Sequence, residues 1–230
     1  MADNQTISAT VTRGIQLQLI PPLKRPCSVP AIEPKGVVYT KRWVVELLLD
    51  LSGYCSDKNL VDTLAIEPAT GDGAFLGPMI ERLIESCGNL GRSLAECDHS
   101  LIAYELDEKS AARARAVAQN ILTNRGVKRP LAKRLAEAWV LNRDYLLDAD
   151  STQADFIIGN PPYIRLEDIP EESASVYRDA YPTMRGRADL YVAFFEAALR
   201  QLKRSGVCAF ICADRWMRNQ YGAELRRLIS

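Results

Sequence analysis

A carboxamide, two prolines and an aromatic ring follow one another at Asn160, Pro161, Pro162 and Tyr163. They come directly after a short apolar run, Phe156–Ile158, which is typical of a buried parallel strand. A turn alone could be made with Asn-Gly or Pro-Gly, so these residue types indicate more than a change of direction. A carboxamide that forms hydrogen bonds, a backbone stiffened by prolines and an aromatic face indicate a functional site at the end of this strand.

Polar residues and glycines also follow three earlier strand-like runs. Gly71 and Gly73 form a turn that a ligand can approach without meeting a Cβ atom. The turn lacks the third glycine of the dinucleotide fingerprint, which favours an amino-acid-like group over a pyrophosphate. Glu105 ends the next run, where a carboxylate can accept hydrogen bonds from both ribose hydroxyls of a nucleoside. Asp144 and Tyr145 end the third run, and ligands bind beyond such strand ends, so one shared site is expected.

The elements that must position these residues alternate along the chain. Strand-like runs lie within residues 61–69, 100–106, 139–146, 154–160 and 207–213. Helical patterns separate them, with Thr40 as the predicted N-cap of the first helix and Gly206 as the predicted C-cap before the fifth strand. This alternation predicts an α/β fold with a doubly wound, mostly parallel sheet.

Composition and charge restrict the possible classes. The net charge is zero, from 29 basic and 29 acidic residues, which argues against a polybasic nucleic-acid binder but leaves local patches open. No apolar run approaches the roughly 18 residues of a membrane span, and the N-terminus lacks a secretory pattern. We therefore expect no membrane contact and a cytoplasmic location. The six cysteines include no Cys-x-x-Cys pair, so we expect reduced thiols and no metal site.

Seven segments, in order, resemble the motifs of γ-group adenine-N6 DNA methyltransferases, and above all the methyltransferase modules of restriction–modification enzymes. They are GVVYTKRWVVELL, EPATGDGAF, YELDE, NRDYL, GNPPYIR, ADLYVAFFEAAL and CAFICADRWMRNQYGAELRRLI, and they extend from about Gly36 to Ser230. The family usually has proline where Lys41 stands. The resemblance implies the Rossmann-like fold of S-adenosylmethionine-dependent methyltransferases, with S-adenosyl-L-methionine as the cofactor.

The resemblance also implies a role for each motif residue. Glu67, Gly71 and Gly73 would surround the methionine part of the cofactor. Glu105 would hold its ribose, and Asp144 would accept a hydrogen bond from its adenine amine. The full set of implied cofactor-binding residues is Tyr39, Thr40, Glu67, Pro68, Ala69, Gly71, Gly73, Glu105, Leu106, Asp144, Tyr145, Leu190 and Phe194.

The chemistry of an exocyclic amine explains the turn. The lone pair of adenine N6 is delocalised into the ring, so the nitrogen must pyramidalise before it attacks a methyl group and then develops positive charge. Two acceptors directed at its N–H bonds stabilise that charge more than the planar ground state. Asn160 would supply one acceptor through its side-chain oxygen and Pro161 the other through its carbonyl. Pro162 cannot compete because it has no N–H, and Tyr163 would stack on the base.

The implied function is methyl transfer from S-adenosylmethionine to an adenine flipped out of double-stranded DNA, as part of a restriction–modification system. Arg185, Arg187, Arg215 and Arg218 are the candidate phosphate contacts. Residues 1–35 are predicted to be an extended or partly disordered arm and residues 36–230 the catalytic domain, with target recognition supplied outside this chain. The alternatives are a methyltransferase of protein glutamine or ribosomal RNA guanine, and a non-catalytic specificity or cofactor-binding subunit.

Overall fold

A six-stranded sheet forms the centre of the protein. The computed structural model describes residues 7–13, 40–149 and 152–230. The strands are β1 (Ile7–Arg13), β2 (Ala65–Glu67), β3 (Leu101–Glu105), β4 (Val140–Asn142), β5 (Ala154–Gly159) and β6 (Leu202–Ala213). Their order is β1-β6-β5-β2-β3-β4, with β2 to β6 parallel and β1 antiparallel along the outer edge of β6. The predicted doubly wound, mostly parallel sheet is therefore confirmed.

Helices cover both faces of the sheet. They are α1 (Arg42–Ser52), α2 (Leu76–Leu90), α3 (Glu108–Asn124), α4 (Arg129–Trp139), α5 (Tyr145–Asp148), α6 (Glu171–Ala180), α7 (Tyr191–Gln201), α8 (Arg215–Arg218) and α9 (Ala223–Ile229). Successive strand residues point to opposite faces, so Ile157 belongs to the apolar cluster that includes residues of α6, α7 and α9, whereas Ile158 belongs to the cluster that includes residues of α1 to α4. Apolar side chains on both faces explain why the strands read as continuous hydrophobic runs.

The first helix begins later than predicted. Helix α1 starts at Arg42, and its N-cap residue is Lys41, whose side chain makes no capping hydrogen bond. The prediction that Thr40 caps this helix is therefore wrong. The Thr40 hydroxyl accepts a hydrogen bond from the side chain of Asn160 instead, so a long-range contact has replaced the local cap.

The C-cap prediction at Gly206 is also wrong. Helix α7 ends at Gln201, and β6 begins at the next residue because Leu202 pairs with Ala154 of β5. Gly206 lies inside β6, where an added Cβ would come within 2.9 Å of the Ala154 carbonyl oxygen. The glycine thus permits close approach of two strands and does not end a helix.

Strand β1 lies within the segment predicted to be an arm. Its pairing with β6 adds a sixth strand that the apolar pattern did not predict. Residues 1–6 and 14–39, and with them Tyr39, lie outside the described residues, as do residues 150–151. Within the described ranges, no helix has both the length and the apolar character that crossing a membrane requires.

Candidate functional site

One pocket is lined by most of the residues that were predicted to form a site at the strand ends. The chain runs from β2 outward to β4 and then returns to β5, so the strand order reverses between β2 and β5. The pocket lies beyond the carboxyl ends of these strands, which is where open α/β sheets bind ligands. Its wall comprises Thr40, Glu67, Pro68, Ala69, Thr70, Gly71, Asp72, Ala74, Phe75, Glu105, Leu106, Asp107, Ser110, Arg143, Asp144, Tyr145, Leu146, Asn160, Pro161, Pro162, Tyr163, Ile164, Tyr177, Leu190 and Phe194.

The Asn-Pro-Pro-Tyr turn is held by hydrogen bonds to two other elements. The Asn160 side-chain nitrogen donates to the Thr40 hydroxyl at 3.1 Å, which joins the end of β5 to the residues before α1. The Tyr163 hydroxyl donates to the backbone carbonyl of Ile211 on β6, also at 3.1 Å. The Tyr163 ring centroid lies 6.2 Å from that of Tyr191. The turn is therefore fixed before any ligand binds.

The glycine turn after β2 connects to Glu105 on β3. Gly71 has a φ of +53°, and its backbone N–H donates to Glu105 Oε2 at 2.7 Å. The backbone N–H of Asp107 donates to the other carboxylate oxygen at 2.9 Å. Gly73 also has positive φ, but it does not line the pocket: its Cβ position faces Val117 of α3 at 3.6 Å. Gly71 thus contributes to the pocket wall, and Gly73 allows the turn to pack on a helix.

Glu67 at the end of β2 is fully buried. Burial raises the pKa of Glu67 well above its ordinary value, and the nearby charge of Glu105 acts in the same direction. The Thr70 hydroxyl and backbone N–H groups at the start of α2 favour the ionised form but do not outweigh burial. In the described part of the chain, Glu67 Oε2 and Thr70 Oγ1 are buried without a hydrogen bond of normal geometry. Two such atoms at a pocket wall can form hydrogen bonds with polar groups of a ligand.

Asp144 lies at the opposite side of the pocket and caps helix α5. Its Oδ1 accepts a hydrogen bond from the backbone N–H of Leu146 at 2.9 Å, and its Oδ2 accepts one from the Tyr177 hydroxyl at 2.6 Å. Burial raises the pKa of Asp144. The adjacent Tyr145 ring stacks on Phe194 of α7 with centroids 5.6 Å apart. A carboxylate beside two aromatic rings suits a heteroaromatic ring that carries an amino group.

The hydrogen-bonding groups of the pocket wall match the polar groups of S-adenosylmethionine. An ionised carboxylate has about four lone-pair positions. At Glu105 two of them accept backbone hydrogen bonds, and the others can accept the two ribose hydroxyls. Burial also raises the pKa of Glu105, as expected for a carboxylate whose ligand partners complete its hydrogen bonding. Glu67 and Thr70 offer polar atoms for the amino-acid part, and Tyr145 and Phe194 offer the aromatic wall.

The structure thus brings most of the predicted site residues together. Of the predicted cofactor set, Gly73 does not line the pocket and Tyr39 lies outside the described residues. The sequence pattern did not single out Thr70, Phe75 or Tyr177. Thr70 and Phe75 belong to the EPATGDGAF segment that had already been selected, whereas Tyr177 comes from a helix with no recognised motif.

The four candidate phosphate-binding arginines lie outside the pocket wall and are exposed to solvent. The side chains of Arg187 and Arg218 are 91% and 83% exposed, with carboxylate partners only at 3.9 Å and 3.8 Å. Such loosely paired guanidinium groups can bind phosphates at little cost. Among the residues that the structure describes, no cluster of histidine, cysteine, aspartate and glutamate could hold a metal ion.

Residues 80–230 match the protein family described as Eco57I restriction-modification methylase. The Type II methyltransferases M.XhoI of Xanthomonas vasicola and M.BstVI of Geobacillus stearothermophilus are each 40% identical to the chain, over 202 and 205 residues. These matches cover 86% and 85% of this chain but 37% and 36% of the relatives. The chain therefore spans little more than a third of their length.

Two solved structures share the fold. The type IIG restriction endonuclease BpuSI has a TM-score of 0.56 at 13% identity, over 84% of this chain and 22% of that chain. The M protein of the type I restriction enzyme EcoKI has a TM-score of 0.52 at 14% identity, over 82% of this chain and 37% of that chain.

Proposed function

Because the chain belongs to the Eco57I restriction-modification methylase family, we propose that it carries the catalytic part of a DNA adenine-N6 methyltransferase. The family resemblance of the motifs is confirmed, and S-adenosylmethionine is the methyl donor that the family and fold imply. When bound, it supplies an electrophilic methyl group. We assign catalysis to residues 36–230 and target recognition to a domain or subunit outside them. A DNA substrate favours the cytoplasm as the location of the enzyme.

The observation that carries the proposal is the position of Asn160. Its carboxamide belongs to the same pocket wall as the carboxylates Glu67, Glu105 and Asp144. A carboxamide carries both a donor and an acceptor: the Asn160 nitrogen donates to Thr40, and the carboxamide oxygen has the chemistry to accept from the target amine. The Pro161 carbonyl supplies a second acceptor from a backbone stiffened by two prolines.

Two acceptors on N6 stabilise the charge that develops as the amine attacks, so the turn binds the transition state better than the planar base. No strong base is needed before attack, because the amine becomes cationic only as the methyl–sulfur bond breaks, and the methylated N6 can then lose its proton to water. Tyr163 supplies the stacking surface for the flipped base, worth about 1–3 kcal/mol in comparable single-strand sites. That contribution offsets part of the few kcal/mol that extrusion of a base costs.

Double-stranded DNA is the proposed macromolecular partner. Arg185, Arg187, Arg215 and Arg218 would contact phosphates. Such contacts position the duplex without specifying its sequence. Their number and the zero net charge favour weak, salt-sensitive DNA binding by this part of the enzyme.

The test is methyl transfer by the full-length protein from S-[methyl-³H]-adenosylmethionine to unmethylated duplex DNA, followed by nucleoside analysis. We expect the label in N6-methyldeoxyadenosine, with loss of the label in the Asn160→Ala variant. Label in a methylated cytosine would overturn the adenine assignment. Transfer to protein glutamine or to ribosomal RNA guanine, with none to DNA, would overturn the DNA assignment.

A further inference from the structure

Helix α6 and the residue that follows it direct two tyrosine hydroxyls at the α5 corner of the cofactor pocket. Tyr177 donates to Asp144 Oδ2 at 2.6 Å, and Tyr181 donates to the backbone carbonyl of Leu146. Tyr177 lies in the last turn of α6, Tyr181 is its C-cap residue, and both are buried. Tyr177 bonds to a carboxylate, whereas Tyr181 bonds to a backbone carbonyl.

The ionisation state of Asp144 decides what it can recognise. An ionised carboxylate only accepts hydrogen bonds, and an adenine amino group donates them. A protonated carboxyl can donate, and so would suit a purine with an oxo group in place of the amino group. Burial raises the pKa of Asp144, which works against the ionised form.

Several titratable or charged groups lie around Asp144. They are Asp148 on α5, Tyr177 on α6, Tyr181 directly after α6, Arg143 in the pocket wall, and Glu196 and Arg200 of α7, which act on Tyr181. The charge of Asp148 raises the pKa of Asp144, whereas hydrogen bonds from the Tyr177 hydroxyl and from the backbone of Leu146 and Leu147 lower it. Of these three donors, only the Tyr177 hydroxyl can be removed by a side-chain substitution.

We propose that Tyr177 is a positioning residue that fixes Asp144 as a hydrogen-bond acceptor and thereby makes the pocket select an amino purine over an oxo purine. The inference rests on the proposed role of Asp144 toward the cofactor's adenine. Along the chain, helix α6 lies between the Asn-Pro-Pro-Tyr turn and α7. A segment outside the cofactor motifs would therefore control cofactor selectivity.

The test compares Tyr177→Phe with Tyr181→Phe in the full-length protein. Each variant loses one buried tyrosine hydroxyl from the end of α6 or the residue after it, and only the first loses a bond to Asp144. Calorimetry would measure S-adenosylhomocysteine and S-inosylhomocysteine affinity from about pH 5 to pH 8. Effects of Glu67 and Glu105 on these profiles are common to both variants and cancel in the comparison.

We expect Tyr177→Phe to bind S-adenosylhomocysteine several-fold more weakly than wild type at the alkaline end. The deficit should widen as the pH falls, with the acid limb displaced to higher pH than in wild type. Its preference for the adenosyl over the inosyl ligand should shrink over the same range. Tyr181→Phe should keep the wild-type acid limb and the wild-type preference.

Identical pH profiles and ligand preferences in the two variants would overturn the proposal, as would a Tyr177→Phe deficit that is the same at every pH. If Tyr177→Phe does not fold, Asp144→Asn serves as the second variant. It removes the titrating carboxyl, so its adenosyl-to-inosyl preference should no longer depend on pH, and an unchanged dependence would refute the inference. Failure of the proposed function is distinguishable, because wild-type protein would then bind S-adenosylhomocysteine normally without methylating DNA.

Discussion

Replacement of Asn160 by alanine separates catalysis from folding. The substitution removes the carboxamide oxygen proposed to accept from adenine N6 and leaves the Pro161 carbonyl in place. An acceptor or donor aimed at developing charge is typically worth about 10²–10³ in rate, or roughly 2.7–4 kcal/mol. We therefore expect the chemical step of Asn160→Ala to slow by that factor.

The structure limits the accompanying loss of stability. The Asn160 side chain is half-buried, and its nitrogen donates to the Thr40 hydroxyl at 3.1 Å. A neutral hydrogen bond of this kind contributes about 0.5–1.5 kcal/mol to folding. The free energy of unfolding should thus fall by about 1 kcal/mol, which is less than the expected loss of transition-state stabilisation.

Thr40→Val provides the matched comparison. It removes the same hydrogen bond and costs about the same stability, but it keeps the Asn160 oxygen, so the rate should fall only several-fold. Thr40→Ser retains a hydroxyl and should restore the rate. The assay is single-turnover methyl transfer by the full-length enzyme at saturating S-adenosylmethionine, with calorimetry of S-adenosylhomocysteine and thermal unfolding in parallel.

Three results would refute this reasoning. An Asn160→Ala rate within about threefold of wild type would remove the carboxamide from the transition state. A Thr40→Val variant as slow as Asn160→Ala would mean that the contact, and not the acceptor, carries the effect. Unfolding of Asn160→Ala would show that the asparagine mainly caps the strand.

The remaining predictions concern the cofactor, the base, stability and DNA. Glu105→Ala should weaken S-adenosylhomocysteine binding by about 1.5–3 kcal/mol in calorimetry, because charge-assisted bonds to the ribose are lost. Tyr163→Ala should weaken capture of the flipped adenine in a binding assay. Tyr163→Phe keeps the ring but loses the hydrogen bond to the Ile211 carbonyl, so its free energy of unfolding should fall by about 1 kcal/mol. Glu67→Gln should raise the thermal stability of the cofactor-free protein near neutral pH and weaken cofactor binding, because burial raises the pKa of this carboxyl in the folded state. Arg187→Ala should lower the slope of log affinity for DNA against log salt concentration by about one.

Each of these predictions has a control or a contrary result. Glu108→Ala, at an exposed position near Glu105, should bind the cofactor normally. A Tyr163→Phe defect as large as that of Tyr163→Ala would assign the effect to the hydroxyl. A Glu67→Gln protein that melts below wild type near neutral pH would contradict the burial argument, and a salt slope unchanged in Arg187→Ala would exclude that phosphate contact.

The sign of the Glu67 effect follows from proton linkage. A carboxyl with a raised folded-state pKa binds its proton more tightly in the native state than in the unfolded chain. Its contribution to stability is therefore present at low pH. That contribution is lost as the pH rises from the ordinary value of 4.5 through the raised value. Glu67→Gln should remove this slope from the stability profile of the cofactor-free protein.

The sheet and most of the pocket could be predicted because their signals are local. Glu105 and Asp144 each end a strand-like run, and the rule that ligands bind at strand ends connects them without knowledge of any contact. Long-range contacts were not predictable in this way. The bond between Thr40 and Asn160 joins residues 120 positions apart and overrides the local expectation of a helix cap. Tyr177 reaches Asp144 across 33 positions from a helix with no motif.

The prediction of where α7 ends and β6 begins was wrong for a related reason. The residues after Gln201 include leucine and two basic side chains, which suit a last helical turn as well as a strand. Pairing of Leu202 with Ala154 decides the outcome, and β5 contributes that partner from far along the chain. A glycine after a basic turn therefore indicates a C-cap only when no strand edge is available nearby.

The carboxyls of the pocket link its stability to its selectivity. Burial raises the pKa of Glu67, Glu105 and Asp144 alike, so the cofactor-free fold becomes less stable as these groups ionise. A ligand that donates hydrogen bonds from an ammonium group, two ribose hydroxyls and an adenine amine favours the ionised forms. Binding should therefore tighten as the pH rises and release protons as it lowers the three pKa values. The carboxyls whose burial destabilises the cofactor-free fold are the same groups that we propose recognise the ligand, which would explain why they lie at strand ends held by backbone hydrogen bonds and not in flexible loops.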